Sequence, residues 1–70
     1  MADLKTNFGA HLQALRNSRG ITQEQLAAEV GITVESISNI ERGIHGPRFD
    51  NLEKIARALG APVKDLFNFE

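Results

Sequence analysis

Seventy residues provide one small domain, expected to span residues 1–70, able to bury roughly 60% of its unfolded surface around a single core. The chain has no cysteine, which removes disulfides and thiolate metal sites, and its net charge of −1 offers none of the basic surplus that nucleic-acid-binding domains commonly carry. No apolar run approaches the roughly 18 residues of a membrane span, and "MADLKTNFGAHLQ" lacks the basic and apolar halves of a secretory leader, so a cytoplasmic protein off the membrane is expected.

In chain order, the apolar pattern predicts helices and no strands. Leu4, Phe8, Leu12 and Leu15 recur at spacings of four and three as one stripe, with Asp3 as a start and Gly20 as a stop. Gly9 interrupts this helix at a cost of up to about 1 kcal/mol relative to Ala; either a neighbouring helix approaches closely there or the helix is merely weakened. Thr22 and Gln25 form a capping box, Ile21 and Leu26 a hydrophobic staple, and Ala27 and Val30 continue the buried face of a second helix up to Gly31. Thr33 caps a third helix, with Ile32 and Ile37 repeating the staple and Gly43 closing it. After the loop "GIHGPR", Asp50 and Glu53 suggest another capping box, and Leu52, Ile55, Ala56 and Leu59 line a fourth helix that stops at Gly60. Pro62 opens a short fifth helix carrying Val63, Leu66 and Phe67; Phe67 and Phe69 fit either core or a frayed end.

The link between the second and third helices is only Gly31 to Thr33, too short for the two to run on or fold back antiparallel. They must cross steeply, as in a helix-turn-helix unit spanning about residues 22–42. At about 100° per residue, Ser36, Ile37 and Ile40 share one side of the third helix, while Val34, Glu35, Ser38, Asn39 and Arg42 fall within about 140° on the other. The outer side is polar and its residues are mostly short, a shape that suits the major groove of DNA, about 12 Å wide.

"ITQEQLAAEVGITVESISNIERG" and "NLEKIARALGAPVKDLF" are similar to the motif and the last two helices of the Cro/C1-type (XRE) helix-turn-helix regulators, a resemblance covering residues 8–67. It implies an all-α, compact five-helix bundle of the lambda-repressor-like kind, a homodimer on partly palindromic double-stranded DNA, and control of transcription, most often repression. Residue by residue, it implies that Gln23 contacts a phosphate, that Thr33, Val34, Glu35, Ser38 and Asn39 face the bases, and that Arg42 and Arg48 meet the DNA backbone. Arg16 and Glu41 match a structural ion pair between the first and third helices. The chemistry is compatible: Val34 against a thymine methyl, Glu35 accepting from cytosine N4, Asn39 bidentate to adenine, Ser38 to a base or phosphate.

Other readings are weaker. His11 and His45 stand alone, so no metal and no cofactor are expected, and no nucleophile-and-base arrangement suggests an enzyme. From Thr22 to Arg48, Arg42 and Arg48 face Glu24, Glu29, Glu35 and Glu41, an acidic balance that favours few phosphate contacts and keeps one alternative open: an adaptor or co-regulator whose third helix meets a protein.

Overall fold

The computed structural model describes residues 3–69. It holds four α-helices, α1 (Leu4–Ser18), α2 (Gln23–Val30), α3 (Val34–Glu41) and α4 (Phe49–Leu59), then a 3-10 turn at Val63–Phe67. No strand occurs among the described residues, and none of their helices is long and apolar enough to cross a membrane. Each element contributes one fully buried side chain: Leu12, Leu26, Ile37, Ile55 and Leu66 in chain order. Burial of one such side chain contributes about 1.5 to 3 kcal/mol, so the loss of any element would open the common core.

The helix starts follow local chemistry. Asp3 accepts a hydrogen bond from the Thr6 amide at 3.0 Å, which holds its carboxyl below the ordinary value. Thr22 and Gln25 close the capping box from both sides, the Gln25 amide donating to Thr22 Oγ1 at 3.0 Å and the Thr22 amide to Gln25 Oε1 at 2.8 Å. Ile21 and Ile32, the outer members of the two expected staples, are half-buried and pack against the core that holds Leu26 and Ile37.

Three expectations are corrected. The fifth element is a 3-10 turn, not an α-helix. Five residues behind Pro62 are too few to sustain an α ladder, and the chain tightens to three-residue bonding, with the Asp65 amide on the Pro62 carbonyl at 2.9 Å. The Asp50–Glu53 capping box does not form. Arg48 takes the extended backbone of the cap position, so Asp50 already lies inside the first turn, and no side chain caps this helix. Leu4 begins the α1 stripe yet is 62% exposed, because α4 and the 3-10 turn do not reach over the first turn of α1. Phe67 and Phe69 divide: Phe67 is partly exposed with its ring 5.0 Å from that of Phe8, whereas Phe69 packs on the core.

Gly9 resolves in favour of close approach. A Cβ there would stand 2.6 Å from the Glu41 carbonyl oxygen and 2.8 Å from its carbon, and would also clash with the Ile40 carbonyl. All are backbone atoms at the end of α3, which cannot yield as a flexible side chain would. We therefore expect Gly9→Ala to lower the unfolding free energy by about 1 to 3 kcal/mol, the overpacking outweighing the helix propensity of alanine. Urea denaturation measures it; a gain in stability would mean that the two helices are not in contact at this point.

Candidate nucleic-acid interface

α3 is placed by a turn and by a buried ion pair. Gly31 ends α2 in the left-handed conformation, φ 85°, where its amide and that of Ile32 both bond the Ala27 carbonyl at 2.8 and 3.1 Å. A side chain would be strained at that φ, so glycine is what permits the chain to reverse within three residues. Thr33 then caps α3: its Oγ1 accepts from the Ser36 amide and its hydroxyl donates to Ser36 Oγ, both at 3.0 Å.

Ile37, Ile40 and Glu41 turn inward from α3 and are buried. The opposite face presents Val34, Glu35 and Arg42 exposed and Ser38 and Asn39 half-buried. Five of the expected contact residues thus share one outward face of one helix. Thr33 precedes them at the cap, its hydroxyl committed to holding the helix start. Arg42 is the C-terminal cap of α3, and Arg48 the cap residue of α4, exposed across the intervening loop.

Beneath this face, Arg16 and Glu41 pair in a bidentate fork. Arg16 Nε donates to Glu41 Oε2 at 2.6 Å and Nη2 to Oε1 at 3.1 Å, with both side chains buried. The hydrogen bonding to the Glu41 carboxylate outweighs burial and holds the Arg16 pKa above its ordinary value, so the guanidinium stays charged. Arg16 Nη1 also donates to the Ile21 carbonyl at 2.7 Å, in the loop that leads into α2. Gln23, the first residue of α2, is half-buried and donates from Nε2 to Glu41 Oε1 at 3.0 Å. Sequence reasoning found the ion pair but missed this third bond. The two residues lie 18 apart on different helices, and no periodicity links them. Away from this cluster, His11 Nε2 bonds the Asp65 carbonyl at 2.8 Å and ties α1 to the 3-10 turn, a structural contact far from α3 in the chain.

A family model described as helix-turn-helix matches residues 12–66. The chain belongs to that family, in its Cro/C1-type branch of regulators. It is 40% identical over 68 residues to the control protein C.BamHI of Bacillus amyloliquefaciens, covering 96% of this chain and 84% of that protein. With the control protein C.MunI of a Mycoplasma species the identity is 36% over 69 residues, covering 97% and 93%. Among solved structures, the restriction-modification controller protein C.AhdI from Aeromonas hydrophila superposes with a TM-score of 0.85 at 34% identity, covering 89% of this chain and 94% of its own. The P22 c2 repressor, solved with a synthetic operator, gives 0.81 at 28% identity, over 90% and 96%.

The ion pair yields a stability test. Arg16→Met or Glu41→Leu alone leaves one buried charge unpaired and should cost about 3 to 5 kcal/mol, whereas both changes together should recover most of that loss, because neither charge remains. Thermal and urea unfolding of the three variants decide it. A double variant as unstable as the singles would show that the site tolerates no apolar replacement.

Proposed function

We propose that this family member is a transcriptional regulator, working as a repressor, that binds a partly palindromic stretch of double-stranded DNA as a homodimer with α3 in the major groove. The carrying observation is the division of α3: Ile37, Ile40 and Glu41 anchor it while Val34, Glu35, Ser38, Asn39 and Arg42 are held outward on one face. In this reading Val34 meets a thymine methyl, Glu35 a cytosine amine, Asn39 an adenine edge and Ser38 a base or phosphate, with Thr33 where the helix begins. Gln23, Arg42 and Arg48 hold the DNA backbone, Gln23 at the start of α2 where the amides of the first turn lack acceptors within the helix.

Several features support it. The solved P22 c2 repressor shares the fold in complex with an operator, and the HTH-type transcriptional repressor RghR of Bacillus subtilis is 41% identical over 61 residues. Pairing is supported by an apolar groove between the first turn of α1, the start of α4 and the 3-10 turn, where Phe49 is 89% exposed and Leu4 and Phe67 are also open to solvent. Such a surface suits a second copy of the chain, which would set half-sites roughly 34 Å apart. Correspondence with C.BamHI, C.MunI and C.AhdI along nearly their whole lengths favours a controller of a restriction–modification operon among the regulator classes. The site of action is then the cytoplasm, with no cofactor or metal required.

Selection of bound duplexes from a random pool tests the reading. A palindrome with half-sites one helical turn apart is expected; no enrichment at low salt would overturn it in favour of a protein-binding adaptor. With two arginines per protomer at the backbone, the log–log salt slope on the selected operator should be about −4, shallow for a repressor. Asn39→Ala should lower affinity for that operator by about 1 to 3 kcal/mol with the fold intact, and relax preference at one base position. Arg42→Ala should instead weaken all sequences alike and reduce the slope by about one per protomer, as mobility shifts at several salt concentrations would show. Lost sequence preference in Arg42→Ala would move that residue from the backbone to the bases.

A further inference from the structure

We propose that Glu41 is a positioning residue for DNA binding: it orients the Gln23 amide so that an N–H, and not the carbonyl, faces the phosphate. This rests on the phosphate reading of Gln23 given above.

The geometry separates this role from the ion pair. A carboxylate locked in a fork with a guanidinium can only accept hydrogen bonds, and Glu41 Oε1 accepts from Gln23 Nε2 at 3.0 Å. A flipped amide would set its carbonyl oxygen against Oε1, two acceptors face to face. The NH2 group is therefore pinned toward Glu41. Its second hydrogen lies in the same rigid amide plane and diverges from the first, leaving one oriented donor. The residue is the first of α2, half-buried, at the positive end of the helix dipole, where an anion is already favoured. Arg16 completes the device. Without the guanidinium, 2.6 Å from Oε2, the Glu41 charge would stand one amide away from the phosphate and repel it. Arg16 also holds the Ile21 carbonyl at 2.7 Å, so the loop that launches α2 is referenced to the same carboxylate. A pair that served stability alone would need neither contact.

The test uses the selected operator carrying a neutral methylphosphonate in place of one phosphate at a time, with binding followed by mobility shift. The wild-type protein should lose about tenfold at the phosphate that Gln23 holds, the size of a net hydrogen bond to a charged group. Gln23→Ala should lose that sensitivity and keep the others; a Gln23→Ala profile identical to wild type would instead sink the phosphate reading itself. The deciding protein is Arg16→Met/Glu41→Leu, which removes the acceptor without leaving a buried charge. We expect it to bind DNA with the Gln23→Ala profile, and the addition of Gln23→Ala to change nothing further. Wild-type sensitivity at that phosphate in the double variant would overturn the proposal. A second measurement needs no change to the pair: in the wild-type free protein, one hydrogen of the Gln23 side-chain amide should exchange with solvent about tenfold or more slowly than a free glutamine amide. Exchange at the free rate would overturn it equally.

Discussion

Two points on one face of α1, about two helical turns apart, set where α3 can lie: the bare Cα of Gly9 against the carbonyls of Ile40 and Glu41, and the guanidinium of Arg16 on the Glu41 carboxylate. The first is a steric limit that only glycine satisfies, and the second is an electrostatic clamp that tolerates little displacement. Together they fix both the distance and the rotation of α3, because one acts on its backbone and the other on a side chain of its last turn. A side chain at residue 9 would push the helices apart and stretch the fork in the same motion.

This constraint matters because α3 has little helical stability of its own. It has eight residues, fewer than the roughly 12 to 15 an isolated helix needs, and Val34, Ser36, Ile37, Ser38, Asn39 and Ile40 all belong to types that favour other conformations. Its Thr33 cap contributes about 1 kcal/mol, and the remainder comes from Ile37 and Ile40 in the core and Glu41 in the fork. The outer face therefore has no order independent of the inner one. A surface built this way is rigid only in the folded domain, so core substitutions would alter any binding made through it.

What could be read from the sequence follows from range. Asp3, Thr22, Gln25 and Thr33 act within one helical turn, and the structure realises each of those caps. The stripes that bury Leu12, Leu26, Ile37 and Ile55 are equally local in their spacing. Asp50 and Glu53 had the spacing of a capping box, but the cap position falls two residues earlier, at Arg48, and leaves Asp50 inside the first turn of α4. Leu4 fitted its stripe, but it lines an open groove that the start of α4 and the 3-10 turn border without covering, and so it stays exposed. The Arg16–Glu41 pair was accessible through family resemblance, not through spacing. The Gln23–Glu41 bond was not visible at all, because it depends on the angle that the Gly31 turn sets between α2 and α3.

The charge balance gives the proposed mode of action its shape. With Glu41 neutralised by Arg16, the surface between Thr22 and Arg48 still sets Glu24, Glu29 and Glu35 against Arg42 and Arg48. Counterion release from so few contacts makes non-specific binding weak, and that weakness favours discrimination, since a genome offers about 10⁶ to 10⁹ competing sites. Glu35 would sharpen it: opposite a cytosine amine its carboxylate is satisfied, and opposite any other group it is a desolvated charge beside phosphates. One such domain, with an eight-residue α3 and only Arg42 and Arg48 exposed beside it as cations, would hold a half-site only loosely. Joining two half-sites in one rigid pair would add their free energies without adding phosphate contacts per domain, so in the proposed mode a regulator this sparing in positive charge would depend on pairing for affinity and on base contacts for selectivity.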